Sequence, residues 1–96
     1  MKRFILFWVI MLSFLTASVV TAEDDYVKGL SFYKKRDFRA SIKYLLEYTN
    51  KTPDPGAYYL IGYANYKLKN HEAAIKYFKD TYMLEPNFKP SAIEMK

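Results

Sequence analysis

The chain contains no cysteine and a single histidine among its 96 residues. Without cysteine it has no disulfide framework, no thiolate zinc site and no thiol nucleophile. The same absence excludes a lipid anchor attached to an N-terminal cysteine. The histidine, His71, follows Asn70 at a predicted helix start, where we interpret it as a solvent-facing residue and not as a general base.

Other features of catalytic sites are also missing from the sequence. It has no glycine-rich phosphate loop, no pair of histidines at metal-ligand spacing and no nucleophile elbow. The acidic run at residues 23–25 is better explained as charge at a helix start than as a cation site. We therefore predict that the protein is not an enzyme and that it holds no cofactor and no metal.

The positive charge of the chain is small. The formal net charge is +5, and Lys2 and Arg3 supply two of these charges ahead of an apolar run. The remaining excess is too small for the concentrated basic stripe of a nucleic-acid-binding protein. It is compatible with weak contact with an anionic membrane surface.

The first 22 residues have the pattern of a secretory signal. Lys2 and Arg3 precede residues 4–15, in which Ser13 is the only polar residue. Small residues then lead to Ala22, and we predict cleavage after it. The alternative is an uncleaved anchor, because residues 4–20 reach the lower length limit of a membrane-spanning helix. Both alternatives export residue 23 onward, to the periplasm or the cell exterior, since the positive end stays inside.

The remaining sequence contains an internal repeat of 33 residues. Shifting the chain by 33 gives nine identities among the 28 pairs that begin at Tyr26 and end at Pro53. The identical pairs are Tyr26/Tyr59, Gly29/Gly62, Tyr33/Tyr66, Lys34/Lys67, Ala40/Ala73, Ile42/Ile75, Lys43/Lys76, Tyr44/Tyr77 and Pro53/Pro86. A period of this length predicts a stack of similar structural units.

Each unit shows helical periodicity twice, which predicts four helices at residues 23–36, 38–51, 55–69 and 71–84. A short fifth helix is predicted from about Pro90. Asp37, Asn70 and Asp54 stand where N-caps are expected, and Pro55 occupies a first helical position. The fold class is therefore predicted to be all-α.

The second unit resembles the tetratricopeptide repeat. Its matching residues are Tyr58, Ile61, Gly62, Ala74, Phe78 and Pro86, in the order aromatic, Leu-Gly-like pair, small residue, aromatic and closing proline. Asn65 departs from the pattern where an aromatic is usual, and Tyr66 is expected to compensate. The first unit resembles the family more loosely, with Asp25 in place of the leading aromatic.

The resemblance implies an α–α solenoid of two antiparallel hairpins in a small exported bacterial protein. Its parts are a signal peptide or anchor helix at 1–22, repeats at 23–53 and 54–87, and a capping helix at 88–96. Phe88, Ala92, Ile93 and Met95 are expected to cover the end of the second hairpin. Gly29 and Gly62 are expected to allow close approach of the paired helices, opposite the small residues of the second helices.

The resemblance also implies a concave groove formed by the first helix of each hairpin, in which relatives bind peptides or helices. The residues expected to line it are Tyr26, Leu30, Tyr33, Lys34, Tyr59, Tyr63, Tyr66 and Lys67. Some tyrosines must instead fill space between helices, and Tyr26, Tyr59 and Tyr63 fit either role. Tyr44, Tyr58 and Tyr77 are predicted to be packing residues.

These observations predict an extracytoplasmic adaptor that binds a peptide or helix of an envelope protein through an aromatic groove. The alternative is a membrane-anchored structural subunit that associates with copies of itself or stacks on a larger repeat assembly. Two repeats are fewer than usually suffice to bury a continuous core, which favours some form of self-association or capping.

Overall fold

The computed structural model describes residues 22–93, and every regular element within them is helical. The helices are α1 (Ala22–Lys34), α2 (Phe38–Lys51), α3 (Pro55–Lys67) and α4 (His71–Leu84), followed by a single 3-10 turn at Pro90–Ala92. Helices α1 and α2 form one hairpin and α3 and α4 a second. Helix α2 also packs against α3, which joins the hairpins. The all-α prediction is thus confirmed for this part of the chain.

The predicted signal or anchor segment lies outside the described residues, apart from Ala22. No helix between residues 22 and 93 has both the length and the apolar character that crossing a membrane requires.

The helix starts agree in position with the capping residues. Asp37 accepts a hydrogen bond from the Ala40 amide at 3.3 Å. Asp54 accepts one from the Gly56 amide at 3.0 Å, and Pro55 follows as the first helical residue. Asn70 stands at the third N-cap but its side chain forms no capping hydrogen bond. The first two side chains therefore stabilise their helices as expected, and the third does not.

Helices α1 and α3 each end two residues earlier than predicted, because the chain turns at equivalent positions. Arg36 and Lys69 have φ values of 63° and 64°, in the left-handed region that stops a right-handed helix. The amide of Asp37 donates to the Phe32 carbonyl, and that of Asn70 to the Asn65 carbonyl, each at 2.9 Å. These bonds satisfy carbonyl groups that the ended helix leaves open.

The glycines lie where the paired helices approach most closely. A Cβ atom on Gly29 would stand 2.7 Å from the Leu45 side chain, and one on Gly62 would stand 2.8 Å from the Phe78 ring. The hydroxyl of Ser41 donates to the carbonyl of Gly29 at 2.8 Å. The structure thus has the close approach that the sequence predicts, with larger side chains of α2 and α4 filling the space above each glycine.

The hydrophobic core lies between the two hairpins. Leu45 of α2 and Leu60 and Ile61 of α3 form its buried centre. Ala57 and Ala64 of α3 are also fully buried. The tyrosines predicted to pack do make ring contacts within hairpins. These contacts join Tyr44 to Phe32 and Tyr58 to Tyr77, with centroids 5.5 and 6.4 Å apart.

The segment after α4, residues 85–93, is here called the tail, and it differs from the predicted capping helix. Its only regular element is the 3-10 turn. Phe88 is buried against the rings of Tyr59 and Tyr82. Ile93 packs on the core cluster and its Cγ1 lies 3.6 Å from where a Gly56 Cβ would stand. The tail therefore crosses the start of α3 towards α1.

The predicted capping strip is consequently wrong at Ala92, which is exposed. Met95 lies outside the described residues, so its part in the strip stays a prediction. At the end of the second hairpin that the strip was expected to cover, Tyr82 is 41% and Leu84 48% exposed. The physical reason lies in the backbone: Lys89 is extended, so Phe88 and Ile93 do not share a helical face.

Candidate functional site

Helices α1 and α3 contact each other, and four of the eight predicted groove residues line a cleft between them. Tyr33 and Tyr63 have ring centroids 6.3 Å apart, which joins the two helices. Lys34 and Lys67 line the same cleft. The Nζ of Lys67 lies 5.2 Å from the centre of the Tyr63 ring, within the range of a cation–π contact.

This cleft has a volume of about 310 Å³ and is here called the basic cleft. Its lining residues are Tyr33, Lys34, Arg36, Phe38, Tyr63 and Lys67. Three of the six are cations and the other three are aromatic, and no carboxylate is among them. The surroundings therefore favour a ligand that combines negative charge with apolar surface.

The tail forms one wall of the groove at the other end of α1 and α3. Tyr26 and Leu30 of α1 face Phe88 and Ile93 of the tail across a cleft of about 480 Å³. The ring of Tyr59 lies between those of Phe78 and Phe88, with centroids 5.4 and 5.6 Å away. This end of the groove is already partly filled by the chain itself.

Tyr26 also has a packing role, since its ring centroid lies 5.0 Å from that of Tyr48. The structure thus gives both roles to the aromatic residues that the sequence left undecided. Tyr59 packs within its hairpin and under the tail, and Tyr63 lies in the basic cleft.

Tyr66 does not compensate for Asn65, contrary to the sequence-based expectation. Tyr66 is 51% exposed and its ring contacts those of Tyr63 and His71 at the edge of the molecule. Asn65 itself is buried, and its Nδ2 donates to the Ile61 carbonyl at 2.8 Å. A satisfied amide therefore replaces the usual aromatic, and Tyr66 lines neither cleft.

Sequence reasoning missed Arg36 and Phe38 as lining residues. Both lie in or just after the turn between α1 and α2, and such a tight turn necessarily brings the start of α2 beside the end of α1. The ring of Phe38 packs edge-on against Tyr33, with centroids 5.6 Å apart. The predicted turn at Asp37 was the signal that could have identified them.

Asp25 lies in the first turn of α1, as predicted, and it has a second role that the sequence analysis did not assign. The residue is 2% exposed and its Oδ2 lies 3.5 Å from the Nζ of Lys51, so it ties the start of α1 to the end of α2. The 33-residue offset pairs Asp25 with Tyr58, a packing residue. That pairing already indicated an inward position.

Burial perturbs two tyrosines of the first hairpin. It raises the pKa of Tyr33 to about 12, with smaller contributions from Tyr63 and Tyr59. The pKa of Tyr48 is also raised to about 12, first by burial and then by the hydrogen bond that its hydroxyl donates to Asp54 at 3.0 Å. Both hydroxyls stay protonated in the folded state at pH values where free tyrosine ionises.

A decrease in stability between pH 10 and pH 12 is expected from these shifts. In that window the unfolded chain releases tyrosine protons that Tyr33 and Tyr48 retain in the folded state. The free energy of unfolding therefore falls as pH rises from about 10 to about 12. Urea unfolding across this range should show a shallower pH dependence for Tyr48→Phe, and shallower still for Tyr33→Phe/Tyr48→Phe. An unchanged slope in both variants would contradict the assignment.

Between residues 22 and 93 no cluster of histidine and acidic side chains is placed to hold a metal ion. The cleft between α1 and α3 offers a ligand aromatic surface and positive charge.

The match to a known family covers the second hairpin. Residues 55–88 match the family model of the tetratricopeptide repeat, and this range includes α3, α4 and Phe88. No curated protein and no solved structure matches the chain significantly. Members of that family are generally non-enzymatic scaffolds for protein interactions. The second hairpin therefore matches one tetratricopeptide repeat, a unit that suggests a protein-interaction module.

Proposed function

We propose that this chain is an exported interaction module that binds an acidic peptide or helix of an envelope protein in the groove between α1 and α3. The observation that carries the proposal is the basic cleft. Six side chains converge there from two separate stretches, residues 33–38 of the first hairpin and 63–67 of the second. A ligand in the cleft would contact α1, the first turn and α3 at once.

The charge of the cleft argues for acidic groups in the ligand. Lys34, Arg36 and Lys67 are three of its six lining residues, and none of the six is a carboxylate. A ligand carboxylate can form charge-assisted hydrogen bonds with these cations. The arginine can grip a carboxylate with two parallel bonds.

The aromatic residues supply the remaining binding surface. Tyr33, Phe38 and Tyr63 are half-buried, so their rings are held by packing while one surface stays open. Ordered aromatic rings lose little entropy on binding and dominate many interfaces. An aromatic or aliphatic ligand side chain beside the acidic group fits this surface best.

The other predicted groove residues have supporting roles in the proposal. Tyr26, Leu30 and Tyr59 would extend the ligand path towards the tail, and Tyr66 would contact a ligand only at the edge. The tail narrows that end of the groove. We therefore place the main ligand contacts at the basic cleft.

Export is the second part of the proposal. We assign residues 1–22 to a leader cleaved before Glu23, residues 23–53 and 54–87 to the two repeats, and 88–96 to the C-terminal segment. The charged start, apolar run and small residues of positions 2–22 support this assignment. Cleavage there would keep Asp25 and its contact with Lys51.

The alternative is that the leader stays as an anchor and holds the repeats outside the cytoplasm. Mass spectrometry of the protein accumulated by an expressing cell separates the two. A polypeptide that starts at Glu23 supports the cleaved form. A retained leader together with partition into membranes supports the anchored subunit.

Ligand binding can be tested with a random-peptide display library. Peptides enriched on the wild-type protein should contain acidic residues next to aromatic or aliphatic ones. Lys34→Glu and Lys67→Glu should each weaken their binding at least about tenfold, because like charges then face each other. Lys43→Glu, on an exposed position of α2, is the matched control and should bind as wild type. If the enriched peptides bind the Lys34→Glu and Lys67→Glu proteins as tightly as wild type, the groove is not their binding site.

A further inference from the structure

The outward face of α4 is apolar although it meets solvent in the described structure. Ile75, Lys79, Tyr82 and Met83 follow at helical spacing and form what is here called the α4 outer face. Ile75 is 56% exposed, Tyr82 41% and Met83 80%. A row of large apolar side chains with this exposure is a common sign of an interaction surface.

The internal repeat indicates which kind of helix packs on the α4 outer face. The 33-residue offset pairs Ile75 with Ile42 and Tyr82 with Thr49. In α2, Ile42 packs against the core cluster, to which α3 contributes Leu60 and Ile61, and Thr49 is 7% exposed. The part of the α4 outer face around Ile75 and Tyr82 is therefore equivalent to the α2 surface that α3 covers, whereas Met83 pairs with the exposed Asn50.

In the first repeat the chain continues from α2 into α3, which covers that surface. In the second repeat the tail instead crosses the start of α3. The ring of Phe88 contacts the α4 outer face at its edge, at Tyr82. The position equivalent to α3 next to α4 is consequently unfilled in the described part of the chain.

Helix α1 has a complementary exposed face. The buried residues Ala57, Leu60 and Ala64, by which α3 joins the core, pair at the same offset with Asp24, Val27 and Ser31. Val27 is 59% exposed, and Asp24 and Ser31 are exposed as well. These three residues are here called the α1 outer face, and no other helix of residues 22–93 covers it.

We infer that the α1 outer face of one copy packs on the α4 outer face of another, as α3 packs on α2 within a chain. Charge supports the pairing: the first turn of α1 carries Glu23, Asp24 and Asp25, whereas Lys79 stands in the α4 outer face. Two different surfaces meet in this arrangement, so each added copy leaves one of each open. The contact therefore builds a head-to-tail array of hairpins.

The absence of cysteine allows a specific cross-linking test on the full chain. Val27→Cys and Ile75→Cys replace the residues equivalent to Leu60, which belongs to the core cluster, and Ile42, which packs against that cluster. A short bismaleimide should cross-link a mixture of the two single variants as a dimer between one of each. A chain that carries both cysteines should give a ladder of higher oligomers. Association through residues 1–22 alone would not select this pairing.

Matched controls make the outcome unambiguous. Glu47→Cys, at an exposed position of α2, should not cross-link with either variant above background. Lys79→Glu, added to the Ile75→Cys chain, should lower the mixed product about tenfold, and Asp24→Lys on the Val27→Cys chain should restore it.

Three results would overturn the inference. One is a mixed product no stronger than the Glu47→Cys control. Another is preferential cross-linking of Val27→Cys with itself or of Ile75→Cys with itself, which would indicate a symmetric dimer or a different occupant. The third is a mixed product unaffected by Lys79→Glu. Because none of these variants changes the basic cleft, failure here leaves the peptide-binding test intact.

Discussion

Gly62→Leu should lower the free energy of unfolding by about 1–3 kcal/mol, because overpacking forces α3 and α4 apart. Even the first added carbon would stand 2.8 Å from the Phe78 ring and 3.3 Å from the carbonyl oxygen of Ala74. The ring could rotate, but the carbonyl belongs to the backbone of α4 and can move only with the helix. Urea unfolding followed by circular dichroism measures the loss.

Gly56→Ala is the matched control for that substitution. A Cβ atom there meets its nearest neighbours, Asp54 and Ile93, at ordinary distances of 3.4 and 3.6 Å. Alanine also restricts the unfolded chain more than glycine does, so stability should stay equal or rise by up to about 1 kcal/mol. If Gly62→Leu unfolds at the same urea concentration as wild type, the close contact of α3 and α4 is not a constraint on the fold.

Phe88→Ala should destabilise the protein by about 3 kcal/mol, the lower end of the range for a buried phenylalanine. Phe88 is 8% exposed and fills the space between Tyr59 and Tyr82. Its loss should also release the tail from the start of α3. Faster deuterium exchange at the Ala92 and Ile93 amides, which donate to the carbonyls of Lys89 and Pro90, would report the release directly.

Lys89→Ala is the matched control for this substitution. Lys89 is exposed, so Lys89→Ala should change the free energy of unfolding by less than about 0.5 kcal/mol and leave the exchange of the Ala92 and Ile93 amides unchanged. A Phe88→Ala protein with wild-type stability and wild-type exchange at these amides would show that the tail is not docked through this ring.

The regular parts of the fold were accessible from the sequence because local chemistry determines them. Asp37 and Asp54 start helices through hydrogen bonds to amides only two or three residues away. The glycine positions followed from the repeat, since Gly29 and Gly62 recur at one offset together with the small residues Ser41 and Ala74. Four helices and their pairing needed no information from outside each repeat.

The errors arose where distant residues decide the outcome. The route of the tail depends on the pocket between Tyr59 and Tyr82 and on the space beside Gly56. The sequence of residues 85–93 shows neither feature. The role of Asn65 depends on a carbonyl one turn earlier in α3, at Ile61. Family resemblance predicted an aromatic substitute, whereas the chain satisfies the position with a hydrogen bond.

The sequence predicted four of the six residues that line the basic cleft. The family resemblance predicted Tyr33, Lys34, Tyr63 and Lys67 as groove residues of α1 and α3. It did not show that the turn would add Arg36 and Phe38, because their positions depend on how sharply the chain reverses after α1. Nor could it show that the tail would narrow the groove beside Tyr26 and Leu30.

The way in which the helices neighbour one another has a consequence for cooperativity. Within residues 22–93, helix α3 contacts α1, α2, α4 and the tail. Helix α1 contacts α2 and, through fewer residues, α3. In such a nearly linear array, stability passes from neighbour to neighbour and need not be lost all at once. The amides of α1 should therefore exchange with deuterium after local opening of that helix. Those of α3, around Leu60 and Ile61, should exchange only when the whole array unfolds.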